Sequence, residues 1–311
     1  MFQKTLKNEI RFFGRGLHTG AECGVRLCPP VLARANTANT LHTQSVQKRC
    51  SASGSAEWGP RAFASSGIVF YREDMPDTPI PASWRYVLDT ANHVTLGRDG
   101  ASVRTVEHLL SALAAGGVDV CDIFVSGPEA PLLDGAAAAF LEGIRGAGLE
   151  ELPLPRETFR LPRPVWVDEG DRYSIALPVS DDEFRVSCSI YFPCTAIGYQ
   201  ACHFRVDEET YRREIAGART FCLEEDVAKL RERGLALGGD FASVLVYGKD
   251  GPVGTEPRYE DECVRHKALD LIGDLCLLGR PLAAHIIGHK IGHTLSLELV
   301  RRIAGTMEEM A

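Results

Sequence analysis

The stretch that decides the predicted fold is LPLPRETFRLPRPVWVDEGD, residues 152–171. Four of its twenty residues are prolines. Proline has a fixed φ and no backbone N–H, so it interrupts helices and the inner strands of sheets. We therefore predict a linker at this point, which divides the chain into a first half, 1–151, and a second half, 152–311.

Both halves mix strand-like and helix-like segments. Runs of β-branched and aromatic residues predict strands, and apolar residues three and four apart predict helices. In the first half we predict strands at 21–28, 67–73 and 120–128 and helices at 105–117 and 135–148. In the second half we predict strands at 172–180, 184–192, 241–248 and 283–290 and helices at 222–234, 260–278 and 293–305. The similar mix predicts an α+β fold of two related domains, 1–151 and 152–311.

The bulk composition limits the kind of protein. The chain has 311 residues, 45% of them hydrophobic, and a formal net charge of -8, which argues against a general nucleic-acid-binding role. No apolar run approaches the roughly 18 residues that cross a bilayer. The N-terminus, MFQKTLKNEIRFFGRG, lacks the apolar core of a secretory signal. We therefore expect a soluble, cytoplasmic protein without a transmembrane segment.

A candidate metal site lies in VRHKALDLIGD, residues 264–274. His266 and Asp270 are four residues apart, so on a helix they share one face and can point at one ion. The alternative is the charged face of an ordinary solvated helix. A further candidate ligand is His108, which follows Glu107 on a mostly apolar helix, although a histidine satisfied inside the core would look the same. Two histidines and one carboxylate would leave a tetrahedral zinc ion with an open position.

A hydrolytic metal site also needs groups that move protons. Glu107, beside His108, is the candidate general base. His293 in KIGHTL is the candidate for stabilising the oxyanion and protonating the leaving group. Asp274, one turn beyond Asp270, would help to keep His293 protonated. Spacing alone favours a different interpretation of His293, as a surface histidine at a helix start.

These motifs together resemble those of one family, the UDP-3-O-acyl-N-acetylglucosamine deacetylases, which are zinc amidases of lipid A biosynthesis in Gram-negative bacteria. The matching stretches run from TLKNEI and GRGLHTG (5–20) through SGIVFYR (66–72), VRTVEHLLSALAAGGVD (103–119), PEAPLLDGAAAAF (128–140), AIGYQ (196–200), ARTFCLEEDVAKLRERGLALGG (218–239) and DECVRHKALDLIGDLCLLG (261–279) to GHKIGHTLSLELV (288–300). TVEHLLSAL, ARTF and VRHKALDLIGDL are the most specific of them.

The resemblance implies a ligand set and a base. His108, His266 and Asp270 match the zinc ligands of the family, with one zinc ion per chain. Iron suits the same ligands and is the alternative metal. Glu107 matches the general base of the family.

The resemblance also implies roles for five further residues. His293 matches the general acid or oxyanion stabiliser, and Asp274 matches its orienting partner. Thr220 matches a hydroxyl that helps to polarise the scissile carbonyl. Lys267 matches a lysine near the substrate's diphosphate, and Phe221 lies on the sugar and nucleotide side of the cleft.

The family fold implies two similar α+β domains, each a sheet with helices, packed helix layer to helix layer with the active site at the interface. Residues 215–240 match an inserted element that forms a hydrophobic passage for the fatty acyl chain. The implied reaction is zinc-dependent removal of the N-acetyl group from UDP-3-O-[(3R)-3-hydroxyacyl]-N-acetylglucosamine, the committed step of lipid A biosynthesis. We expect a monomer whose partner is this acylated UDP-amino-sugar substrate.

One segment departs from the family pattern, and two other functions stay open. Residues 31–66 lack periodicity and have no counterpart in that pattern, so we predict an insertion loop or, alternatively, a sequence artefact. A non-catalytic, zinc-stabilised paralogue that binds sugar nucleotides is one alternative, although the presence of Glu107 and His293 argues against it. A deacetylase of another acylated sugar nucleotide is the second.

Overall fold

The computed structural model describes residues 1–30, 67–193 and 195–310 of the chain. The segment 31–66, for which an insertion is predicted, lies outside the described residues. No helix within the described ranges combines the length and the apolar character needed to span a membrane.

The first half forms a five-stranded and a three-stranded sheet with two longer helices. Its described strands are β1 Phe2–Leu6, β2 Ile10–Arg15, β3 Glu22–Cys28, β4 Ile68–Arg72, β5 Met75–Pro81, β6 Val87–Asp89, β7 Thr95–Arg98, β8 Ala101–Arg104, β9 Cys121–Val125 and β10 Leu149–Pro155, and its helices are α1 Glu107–Ala115 and α2 Ala138–Ala147. The strand orders are β2-β3-β9-β4-β5 and β6-β7-β8. The predicted strands of this half correspond to β3, β4 and β9, and both predicted helices are confirmed.

The second half repeats this mix around a six-stranded sheet. Its described strands are β11 Phe159–Arg160, β12 Val165–Glu169, β13 Arg172–Leu177, β14 Phe184–Phe192, β15 Gly198–Arg205, β16 Phe221–Leu223, β17 Leu245–Tyr247, β18 Pro252–Val253 and β19 Leu282–His289, and its helices are α3 Glu208–Thr210, α4 Glu224–Glu232, α5 Glu262–Cys276 and α6 His293–Glu309. The order is β12-β13-β19-β14-β15, with β11 also on β19, beside a small β16-β17-β18 sheet. The predicted α+β class is therefore confirmed.

Two stretches differ from the predicted elements. The strand predicted at 241–248 begins only at Leu245, because the Asp240 carboxylate accepts the N–H groups of Ala242 and Ser243 and holds a turn there. The proline-rich stretch 152–171 is not a plain linker, since it contains the end of β10 and all of β11 and β12. β10 tolerates its prolines because it pairs with β1 in a two-stranded sheet and needs ladder bonds on one side only.

The two halves meet where α1 packs against α5. The Ser111 hydroxyl on α1 donates to the Leu269 carbonyl on α5 at 2.8 Å, and the Tyr211 hydroxyl donates to Ser111 at 2.7 Å. Nearer the start of α1, a Cβ placed on Gly273 would lie 2.2 Å from the Glu107 carbonyl oxygen. The missing side chain at Gly273 thus allows the first turn of α1 to lie directly on the middle of α5.

We predict that Gly273→Ala destabilises the protein, although alanine favours a helix over glycine. The added methyl group must push α1 away from α5, and overpacking of this kind costs about 1–3 kcal/mol in the free energy of unfolding. Gly305→Ala on α6 is the matched control, because a Cβ there meets no atom of the described residues within 4 Å. Urea unfolding of both variants is the measurement, and a Gly273 variant at least as stable as the Gly305 variant would contradict the close approach.

Candidate active site

Three buried side chains from α1 and α5 converge where these helices touch. His108 lies in the first turn of α1, and His266 and Asp270 lie one turn apart on α5. The Nε2 atoms of His108 and His266 are 3.7 and 3.3 Å from Asp270 Oδ1. One ligand atom from each residue lies within 4.8 Å of the others. The helical face predicted for His266 and Asp270 is therefore buried, and it receives His108 from the other half.

The donor set fits a divalent metal ion. Burial lowers the pKa of His108 to about 3 and also lowers that of His266, so both imidazoles are neutral and keep a lone pair for a ligand bond. Burial acts to raise the pKa of Asp270, but its neighbours, among them the cationic Lys267 and His293, outweigh burial and hold the pKa of the carboxyl well below its usual range. Asp270 Oδ1 is buried without a hydrogen-bond partner among the described residues. Because a buried carboxylate oxygen needs a partner, these three residues could hold a metal ion.

A backbone carbonyl orients one of these ligands. His266 Nδ1 lies 3.0 Å from the Ala218 carbonyl oxygen, to which it donates. With the proton on Nδ1, the Nε2 lone pair faces the centre of the site.

The Ala218 carbonyl is itself anchored by a buried ion pair at the next residue. Arg219 donates from both its backbone N and its Nε to Glu262 Oε1, each at 2.9 Å, and from its guanidinium to the Glu256 carbonyl at 2.7 Å. Arg219 is 3% exposed and Glu262 is fully buried. The pair ties the ARTF segment to the first turn of α5 and so positions the carbonyl on His266.

Glu262→Ala is expected to destabilise the protein strongly. The variant leaves the Arg219 guanidinium buried and unpaired, and breaking a buried pair in this way costs about 3–5 kcal/mol in the free energy of unfolding. Glu209→Ala, which removes the exposed pair between Glu209 and Arg212, should cost less than about 1 kcal/mol. Equal unfolding midpoints in guanidinium chloride for the two variants would contradict the anchoring role.

A carboxylate and a cationic histidine lie beside the ligand set. Glu107 Oε2 accepts the N–H of Val94 at 3.0 Å, and Glu107 Oε1 lies 3.7 Å from His293 Nε2. Burial raises the pKa of Glu107 to about 7. Both Asp274 carboxylate oxygens lie 3.0 Å from His293 Nδ1. Burial acts to lower the pKa of His293. The neighbouring carboxylates of Asp274 and Glu107 outweigh burial and raise the pKa of His293 to about 10.

The remaining predicted residues border this group. Lys267 Nζ donates to Asp270 Oδ2 at 2.7 Å and lies 5.5 Å from the centre of the Phe221 ring. The Phe221 ring meets His266 edge-on at 6.4 Å. Thr220 precedes Phe221, and its backbone N–H and carbonyl bond to the Gly135 carbonyl and the Leu245 N–H. All nine predicted residues thus lie in one region, and their roles stay predictions.

The predicted acyl-passage element, residues 215–240, borders an apolar cluster next to this region. The buried side chains of the cluster come from both halves and are Leu17, Leu132, Val244 and Val246, with Cys222 and Val227 of the element and Val253 packed against them. The element contains β16 and α4, and β16 pairs with β17, which follows the element in the chain. Its role in binding an acyl chain stays a prediction.

Several contacts of the site carry no signal that spacing could detect. The N–H of Val94 and the carbonyl of Ala218 are backbone groups that any residue possesses. Arg219 and Glu262 are ordinary charged residues whose burial appears only in the folded chain. The motifs assign no role to His18 or His93, although both lie close to the site and His18 is part of GRGLHTG.

Residues that could hold a metal ion, beside a carboxylate of raised pKa and a cationic histidine, are typical of the active site of a hydrolytic enzyme. The sequence comparisons identify the hydrolase. The model of the UDP-3-O-acyl N-acetylglycosamine deacetylase family matches residues 59–305, and the chain belongs to this family of deacetylases.

Curated relatives from several bacteria agree with this assignment. The chain is 36% identical to the UDP-3-O-acyl-N-acetylglucosamine deacetylase of Leptospira biflexa serovar Patoc, over 97% of this chain and 89% of that protein. It is 41% identical to the Myxococcus xanthus protein of the same name, over 97% and 86%, and 39% identical to that of Thermosynechococcus vestitus, over 97% and 94%.

Proposed function

We propose that this chain hydrolyses the N-acetyl group of UDP-3-O-[(3R)-3-hydroxyacyl]-N-acetylglucosamine, the committed step of lipid A biosynthesis. The products are acetate and the free glucosamine amine. The observation that carries the proposal is the Glu107–His293 pair, 3.7 Å apart, beside the buried group of His108, His266 and Asp270. The names of the relatives supply the substrate.

The proton transfers follow from the two neighbouring groups. A Zn²⁺ ion, or Fe²⁺, held by His108, His266 and Asp270 would lower the pKa of water and polarise the acetamide carbonyl. Glu107 takes a proton from the attacking water as the new C–O bond forms, and its pKa of about 7 suits both uptake and release of that proton. His293, held cationic by Asp274, stabilises the developing oxyanion with the Thr220 hydroxyl. As the C–N bond breaks, the amine leaves with a proton from His293 or Glu107.

We propose that the residues bordering the candidate metal-binding group bind the substrate. The Lys267 ammonium group would attract the diphosphate, and Phe221 would pack on the sugar and nucleotide side. The apolar element at 215–240 would bind the acyl chain. We further propose two domains, 1–151 and 152–311, acting together as a monomer in the cytoplasm.

The test is acetate release from the acylated UDP-sugar by purified protein, first stripped of metal and then titrated with Zn²⁺. Activity that saturates at about one zinc per chain supports reaction, metal and site count together. A folded, zinc-loaded protein that releases no acetate would favour the non-catalytic paralogue. The same titration with Fe²⁺ compares the two candidate metals.

A further inference from the structure

Two histidines next to the catalytic pair have no role in the reaction described above. The rings of His18 and His93 pack with centroids 4.5 Å apart. Their exposed fractions are 4% and 3%. His93 precedes Val94, whose N–H binds Glu107, so the two rings lie beside the proposed base.

The hydrogen bonds of His18 settle which of its nitrogens carries the proton. Ala236 donates its N–H to His18 Nδ1 at 3.4 Å, so Nδ1 is an acceptor. Burial lowers the pKa of His18 to about 4, and the charge of His293 acts in the same direction. A neutral imidazole with an accepting Nδ1 has its proton on Nε2. Yet His18 Nε2 is buried without a hydrogen-bond partner among the described residues.

The loop around His18 is held in place independently of this nitrogen. The fully buried Glu129 accepts the N–H groups of His18 and Thr19, each at 2.9 Å, and the hydroxyl of Thr105 at 2.7 Å. The Nε2–H group is therefore held in a fixed position and has no hydrogen-bond acceptor among the described residues. Buried donors of this kind are normally paired, so a ligand or water oxygen should lie there.

The neighbours of His18 indicate which part of a substrate passes by. Leu17 belongs to the apolar cluster that borders the passage element, and Gly238 of that element donates to the Leu17 carbonyl at 3.0 Å. His18 thus has the passage element on one side. On its other side lies His93, which adjoins the residue that binds the proposed base. In the proposed substrate the acyl ester sits on the ring carbon next to the one that bears the scissile acetamide. The ester carbonyl and the 3-hydroxyl must therefore lie between the reacting atoms and the acyl passage.

We propose that His18 is a specificity residue whose Nε2–H donates a hydrogen bond to an oxygen at the head of the acyl chain, either the ester carbonyl or the 3-hydroxyl. This assignment rests on the proposed function. The ring of His93 packs against that of His18 and keeps the donor aimed at the chain.

A pair of amide variants separates the two nitrogens of His18. The glutamine amide reaches the position of Nε2, so His18→Gln keeps a donor there, whereas the shorter His18→Asn places its amide near Nδ1. We expect His18→Asn to lower kcat/KM on the hydroxyacyl substrate about tenfold or more, and His18→Gln to recover part of that loss. Metal content should equal that of the wild type in both. His203→Asn is the control for an unrelated histidine, because His203 is exposed on β15 of the second half.

Three substrates identify the oxygen: the 3-hydroxyacyl ester, the acyl ester without the hydroxyl, and a 3-O-alkyl ether that lacks both oxygens. A loss in His18→Asn confined to the first substrate assigns the hydroxyl, and an equal loss on both esters but not on the ether assigns the carbonyl. An equal loss on all three, loss of bound metal, or no loss at all would overturn the proposal. If His18→Asn fails to fold, the wild type is measured instead. Its kcat/KM on at least one ester must exceed that on the ether, and equal values on all three substrates would overturn the proposal. A wild type inactive on every substrate refutes the proposed function instead.

Discussion

Glu107→Ala is expected to lower kcat for deacetylation by about 10²–10⁴-fold, the usual contribution of a positioned general base. Glu107 is held in place by the Val94 N–H at 3.0 Å and lies 3.7 Å from His293 Nε2. Its carboxylate is not in the group that could hold the metal. Metal content, measured by atomic emission on the purified variant, should therefore stay at the wild-type level.

Glu107→Gln is the matched control for shape. Its side-chain oxygen can still accept the N–H of Val94, but an amide cannot take a proton from water. It should therefore lose as much kcat as Glu107→Ala while unfolding at a urea concentration close to that of the wild type. Near-normal turnover in either variant would show that another group is the base.

His266→Ala is expected to lose both the bound metal and the activity. The variant removes one of two imidazole ligands and leaves Asp270 Oδ1 with one imidazole, His108, at 3.7 Å. A metal contribution of roughly 4 kcal/mol to transition-state stabilisation corresponds to about a 10³-fold fall in kcat/KM. Measured after dialysis against metal-free buffer, the zinc content should fall far below one per chain.

The control for this variant is His203→Ala, which removes a histidine from the second half that is not in the metal-ligand group. It should keep its zinc and its activity. A His266→Ala protein that binds zinc as tightly as the wild type would refute the ligand assignment. Together, the Glu107 and His266 variants separate lost chemistry from lost metal.

Much of the site was predictable because it depends on local geometry. The i, i+4 spacing put His266 and Asp270 on one helical face, and the structure has them 3.3 Å apart. Apolar periodicity likewise predicted α1 and α5 within a few residues. The grouping of His108 with these two ligands depended on the family resemblance, since spacing cannot relate residues from different halves of the chain.

Other features were mispredicted or missed because they depend on distant partners. Proline content predicted a linker at 152–171, but pairing of β10 with β1 and of β11 with β19 stabilises strands there. The burial of Arg219 and Glu262 has no local pattern, since both are ordinary charged residues in sequence. The donor on His18 Nε2, which has no partner among the residues described, follows from the hydrogen bond that Ala236, far away along the chain, makes to Nδ1.

By itself, the sequence determined the α+β class, the periodic helices and the residue types of the site, because each depends on neighbours within a turn or a strand. Only the tertiary structure decided how those residues act. The glycine at position 273 lets α1 approach α5 and so brings Glu107 and His108 to Asp270 and His293. Burial at that contact raises the pKa of Glu107 to about 7 and leaves an oxygen of Asp270 without a hydrogen-bond partner in the described parts of the chain. These residues are buried only when both halves pack together, so no local sequence pattern could reveal the burial.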